Sequence, residues 1–143
     1  MRLKSTGRTP TRSGERQKYS RFTFICPIRI LELGQHPENK SSGSRRFYAA
    51  RTKNISQGGI KITLLPSLEP GSTVLIEADL AQFAKHIDTQ NLLRISENRL
   101  MAKVIWRHLN LETGLFEAGL QFLEEKERAE YESRINEASQ TSG

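Results

Sequence analysis

Residues 45–65 read RRFYAARTKNISQGGIKITLL, two β-rich runs on either side of Asn54, Ser56, Gly58 and Gly59. The first run, RRFYAARTKNI, and the second, GIKITLL, read as consecutive strands joined by a turn. Two readings of that turn are open. Asn, Ser and Gly are ordinary turn residues, used for local side-chain hydrogen bonds and for positive φ. The same residues would also let exposed polar groups and bare backbone approach an anion.

Upstream, residues 22–33, FTFICPIRILEL, alternate Phe22, Phe24, Cys26, Ile28 and Ile30 on one side. This is a strand pattern, with Pro27 arguing for an edge or a bulge. GQHPENKSSGS is a loop by its Gly, Pro, Asn and Ser content. Downstream, PSLEPG is a turn, STVLIEADL a fourth strand, and LAQFAKHI a short helix before an irregular stretch that runs to residue 97. RLMAKVIWRHLN and GLFEAGLQFLE form a fifth and a sixth strand, linked at Leu111 to Gly114 as a hairpin. EEKERAEYESRINEA then changes period. It is charged and helix-prone, with Ala129, Glu132 or Ser133, and Ile135 to Asn136 as a thin apolar stripe, and predicts a helix laid against the barrel's end or a partner. Six short strands and one terminal helix describe an all-β domain, a small antiparallel barrel or sandwich. Solenoid repeats are absent from the sequence.

Residues 1–21 carry Arg2, Lys4, Arg8, Arg12, Arg16, Lys18 and Arg21 against one acid, Glu15, and almost nothing apolar. Such a segment cannot offset its ordering entropy alone and predicts a mobile basic arm. The formal charge of +6 and pI near 9.8 favour anionic partners. Cys26, the single cysteine, sits in an apolar run and reads as a buried free thiol, which fits a reducing compartment. With no apolar run near the roughly 20 residues that span a bilayer, and no secretory signal in MRLKSTGRTPTRSGER, the expectation is a cytoplasmic protein without membrane insertion.

His36, His86 and His108 are scattered, without a Cys or second His at metal-ligand spacing, and read as surface residues, so no metal is expected. The sequence has neither a G-x-S-x-G nucleophile elbow nor a Gly-rich strand-to-helix phosphate loop. Nothing nominates a base or a nucleophile; the expectation is a non-enzyme with no catalytic residue and no cofactor.

The turn spells Asn54-Ile55-Ser56-Gln57-Gly58-Gly59, and the arm ends in Glu15-Arg16-Gln17-Lys18-Tyr19-Ser20-Arg21 before the first strand. Together they resemble the PilZ domain family, whose pattern is an R-x-x-x-R loop leading into the first strand and a D/N-x-S-x-x-G turn after the second. KVIWRH followed by FEAGLQFLE resembles that family's last hairpin, and the resemblance covers about residues 15–135. It implies a six-stranded antiparallel β-barrel with a C-terminal α-helix. The division is then a basic tail at 1–14, a domain at 15–138 (arm 15–21, barrel 22–124, helix 125–138) and a frayed tail at 139–143.

The resemblance also implies a ligand, the bacterial second messenger cyclic di-GMP, and a role as its receptor acting on an unidentified protein effector, as a monomer or weak dimer. It nominates Arg16, Gln17 and Arg21 in the arm, Asn54, Ser56, Gly58 and Gly59 in the turn, and Trp106 as a hydrophobic platform near a bound base, with Arg12 and Lys18 as secondary candidates. These residue types suit that ligand. Its two phosphates demand cations, and the guanine O6/N7 edge takes a guanidinium fork better than an ammonium. Asn54 and Ser56 can hydrogen-bond to guanine or to the arm, while Gly58 and Gly59 admit close backbone approach.

One position departs from the family pattern. Counting back from Arg21, the first arginine falls on Gln17, with Arg16 one residue further away; a literal R-x-x-x-R occurs at Arg12 to Arg16, five residues earlier. Loss of one charged fork lowers affinity by ~1.5–3 kcal/mol, or roughly 10- to 150-fold. An adaptor that no longer binds nucleotide and works through protein contacts is therefore the second expectation. The strands lack the alternating exposed aromatics of a nucleic-acid stacking platform, and nucleic acid is not an expected partner.

Overall fold

The computed structural model describes residues 20–34 and 46–139. In Gly59–Leu64, Ile60, Ile62 and Leu64 are buried while Gly59, Lys61 and Thr63 between them are not, so one face of this strand is core and the other open. Each such aliphatic side chain contributes about 1.5–3 kcal/mol by leaving water. Among the described residues the strands are β1 (Phe22–Thr23), β2 (Pro27–Gly34), β3 (Tyr48–Ser56), β4 (Gly59–Leu64), β5 (Thr73–Glu77), β6 (Arg94–Ser96), β7 (Arg99–Asn110) and β8 (Leu115–Phe122); β5 is buried on both faces through Ile76, and β1 on neither.

Six of them close a ring. The order β3-β2-β5-β7-β8-β4 returns to β3 through the β3–β4 pairing, and every pairing is antiparallel. The expected six-stranded barrel is thus present, with β1 added to β3 and β6 to β7. Closure leaves few free edges and fills the interior with Ile30, Ile55, Ile62, Val74, Ile76, Leu100 and their neighbours.

The first expected strand is broken. Phe24 to Cys26 separate β1 from β2, and Thr52 on β3 holds the break: its amide donates to the Cys26 carbonyl at 3.0 Å and its hydroxyl to the Phe24 carbonyl. Pro27 cannot donate to a ladder, and β2 begins there.

The segment after β5 is more ordered than its sequence suggests. Helix α1 (Leu80–Phe83), capped by Asp79 accepting from the Ala81 amide at 3.1 Å, places Leu80 and Phe83 in the barrel core, and Ile87 and Leu92 join them there. Phe83 meets Phe24 edge-on at 5.3 Å between centroids. The segment plugs one end of the barrel.

Beyond β8, Glu125–Tyr131 is a 3-10 turn series and only Glu132–Ser139 (α2) is α-helical, where the charge pattern predicts one helix over 125–138. The first half has no buried residue, so nothing selects the α form there, and Ala129 is exposed. The buried stripe starts later, with Ile135 and Ala138 against Leu31, Leu33, Leu75, Leu93, Met101 and Leu123. This second core lies outside the barrel wall, which explains why Leu100, Met101 and Ala102 on β7 are all buried. The terminal helix packs on its own barrel.

Candidate functional site

Two bulges shape one outer corner of the barrel. The β3–β4 register shifts between Thr52 and Asn54, and the β7–β8 register shifts between Val104 and Trp106. Each bulge turns its strand and re-aims the side chains beyond it. Past the second, Ile105 and Trp106 are both turned out, 47% and 41% exposed. Trp106 is therefore a surface residue and not part of the core.

Between these bulges lies a cleft of about 390 Å³. Arg21, Ser56, Gly58, Gly59 and Trp106, drawn from the arm, the turn and the fifth expected strand, line it together. Asn54 joins them from beside the cleft: the Arg21 guanidinium Nη1 donates to its Oδ1 at 2.9 Å. The end of the arm and the turn are thereby tied by one side-chain hydrogen bond, and β1 pairs Thr23 with Asn54 just above it. Arg12, Arg16, Gln17 and Lys18 lie outside the described residues, as does His36.

Gly59 serves close contact, and neither turn glycine has positive φ. Among the described residues, the glycines with positive φ are Gly71 and Gly114, so that part of the turn reading is corrected. A Cβ on Gly59 would run into the Leu120 carbonyl oxygen of β8. Ser56 is buried, its hydroxyl 3.5 Å from the Gly59 carbonyl it donates to.

Among the lining residues that escaped the sequence reading are Lys61, Gly119 and Gln121. Lys61 pairs with Gly119 across β4–β8, and Gly59 with Gln121, so all share the outer face on which the cleft opens. Gly119 pairs with Trp106 across β7–β8, and the indole occupies the space a Cβ would fill. The Lys61 ammonium stands 5.9 Å from the indole centroid, within cation–π range. Lys61 was findable as the outward-facing residue two positions from Gly59 on an alternating strand. Gly119 needed the register of a hairpin against a third strand, which no local pattern carries.

Glu117 balances this charge. It is 9% exposed, with Lys53 at 3.5 Å and Lys61 at 3.6 Å. A hydrogen bond from Asn110 at 3.3 Å, opposed by burial and reinforced by both lysines, holds its carboxyl below the usual glutamate range. The cleft therefore presents two cations, Arg21 and Lys61, an aromatic face and three glycines. It suits a flat anionic ligand.

The remaining reactive groups stand elsewhere. Cys26 is half-buried rather than fully buried, and burial, with the charge of Asp79, pushes its thiol up, away from nucleophile range. His86 is not a plain surface residue: its ring packs tilted against Phe22 and edge-on to Phe24, while His108 is exposed. Among the described residues, no three His, Cys, Asp or Glu side chains group as metal ligands, and no helix is long and apolar enough to cross a membrane.

No curated protein matches the chain. Among solved structures it is similar to the PilZ domain with c-di-GMP of YcgR from Escherichia coli, at 14% identity over 86% of this chain and 88% of that one, with a TM-score of 0.39. The family model described as PilZ domain matches residues 15–137, from the arm's Glu15 through the barrel and into α2, and by that match the chain belongs to the PilZ domain family.

Proposed function

We propose that the protein is a receptor for cyclic di-GMP, the ligand its family resemblance implies, and not an enzyme. The observation that carries this reading is the Arg21–Asn54 hydrogen bond, which joins the arm to the turn at the rim of the cleft lined by Ser56, Gly58, Gly59 and Trp106. A guanidinium already oriented by an amide oxygen keeps its other donors for a phosphate or a guanine edge. Trp106 supplies a stacking face for a base, and the two glycines let backbone donors reach the ligand.

On this reading the arm closes over the nucleotide, with Arg16 and Lys18 adding charge and Gln17 a hydrogen bond. Arm and barrel face then form a new surface for a protein effector. The basic chain favours both the ligand and its approach.

Calorimetric titration of cyclic di-GMP, with GMP and cyclic AMP as controls, tests the reading. Saturable binding in the micromolar range or tighter, abolished by Arg21→Ala, is expected, and its stoichiometry distinguishes one nucleotide from a stacked pair. Absence of saturable binding to the wild type refutes the receptor. The second reading, an adaptor working through protein contacts alone, is favoured by Gln17, which replaces a charged fork with a neutral amide. Binding restored by Gln17→Arg to a wild type that shows none supports it.

A further inference from the structure

We infer that the segment from α1 to Asp88 is the positioning element of this site, holding the root of the arm and the β3–β4 turn in one register; the inference rests on the nucleotide reading above. Its inner residues, Leu80, Phe83 and Ile87, are buried in the barrel core and fix the segment to the scaffold. Its outer residues do something else.

His86 is half-buried. Its ring lies tilted against Phe22 at 5.5 Å between centroids and edge-on to the buried Phe24 at 5.2 Å, the two aromatics that come after Arg21. Two residues on, Asp88 is tied to the turn by a reciprocal pair: the Gln57 amide nitrogen donates to the Asp88 carbonyl at 2.8 Å, and the Asp88 amide donates to Gln57 Oε1 at 2.8 Å. One three-residue span thus grips both pieces that carry the site.

The arm root needs that grip. β1 is two exposed residues long, paired with Ile55 and Asn54, and a pairing so short has little stability of its own. The tilted and edge-on contacts of His86 add aromatic packing where the ladder is weakest. Arg21 then departs from a fixed point opposite Asn54, and the guanidinium is oriented before ligand arrives, which lowers the ordering cost of binding. His86 and Gln57 are positioning residues.

The test uses the full chain with His86→Ala, His86→Phe and Gln57→Ala, read by amide hydrogen exchange and by titration of cyclic di-GMP. The Phe24 amide, bonded to the Lys53 carbonyl, reports the arm root, and the Asp88 amide reports the turn clasp. In His86→Ala, exchange at Phe24 is expected to quicken and affinity to fall roughly three- to ten-fold with little change in melting temperature; His86→Phe restores both. Gln57→Ala is expected to quicken exchange at Asp88.

Unchanged exchange at Phe24 in His86→Ala overturns the inference. So does unchanged affinity in His86→Ala when Arg21→Ala abolishes binding, and so does an affinity loss that tracks a lower melting temperature and is not rescued by His86→Phe. Failure of the nucleotide reading shows separately, as a wild type that does not bind; exchange at Phe24 and Asp88 then decides the positioning role alone.

Discussion

The Trp106 indole lies against Gly119, its cross-strand partner on β8, in the space that a side chain at Gly119 would fill. The aromatic wall of the cleft therefore depends on a missing Cβ one strand away.

Gly119→Ala should evict the ring. The added methyl overlaps the indole rather than backbone, so the side chain must swing away, at a cost of about 1–3 kcal/mol for overpacking a buried position. Trp106 is the only tryptophan in the chain, and its emission reads the move directly. An unshifted spectrum together with unchanged urea stability would show that the indole is not seated on Gly119.

Two other glycines separate contact from conformation. Gly59→Ala drives a Cβ into the Leu120 carbonyl oxygen, a backbone atom held by the ladder, and should cost ~1–3 kcal/mol while widening the β4–β8 spacing at the cleft. Gly114→Ala meets nothing within 4 Å, so its cost is the left-handed backbone alone, φ near 76° and about 1–2 kcal/mol. Denaturant midpoints for the two should be accompanied by altered nucleotide titration in Gly59→Ala only; the same change in Gly114→Ala would contradict this division.

These glycines also mark where sequence reading ends. The β3 and β4 runs and the β7–β8 hairpin were legible because alternation and turn composition are local. Arg21, Asn54, Ser56, Gly58, Gly59 and Trp106 were legible as motif positions. Lys61, Gly119 and Gln121 were not, because the face they share comes from β4 pairing with β8, strands separated by more than half the barrel's sequence. The division of the first strand was half legible: Pro27 signalled it, but the residue that stitches it, Thr52, lies on β3. The α1 helix was legible in LAQFAKHI, but the stretch after it looked irregular, since its apolar residues Ile87 and Leu92 obey neither period, being spent on the barrel core. The 3-10 half of the terminal segment had no signature either, charge being compatible with both helix types.

Acid should reveal the ion cluster on the opposite wall. Burial pushes the Glu77 carboxyl up, but hydrogen bonds and charge from Arg99 and Arg29 outweigh it and hold it below the usual glutamate range. A carboxylate with a depressed folded value stabilises the fold above its unfolded value, about pH 4.3, and loses that contribution as pH falls through the folded value. Both guanidinium groups also lie near the Phe47 ring, at 4.7 and 5.2 Å from its centroid, so the pair is anchored. Glu77→Gln should be less stable than wild type at neutral pH, and the gap should close on acidification below about pH 4.3. A gap that stays constant from pH 7 to pH 3 would exclude the linkage.

The break between β1 and β2 sets the direction in which the arm leaves the barrel. Thr52 is fully buried, and its hydroxyl donates to the Phe24 carbonyl and lies 3.4 Å from that of Cys26. Thr52→Val keeps the shape but removes the hydroxyl donor from the Phe24 carbonyl in a dry interior, at a cost of about 1–3 kcal/mol, while the Cys26 carbonyl keeps the Thr52 amide. Thr52→Ser keeps the donor and gives up one methyl, a smaller loss of about 1 kcal/mol. Urea unfolding of both should therefore rank Val below Ser, the reverse of the order that apolar burial alone would give. Because Phe24 lies three residues from Arg21, Thr52→Val should also weaken nucleotide binding where Thr52→Ser does not. If the two variants lose equal stability, shape rather than the hydroxyl holds the break, and the arm's direction must be set from the α1 side alone.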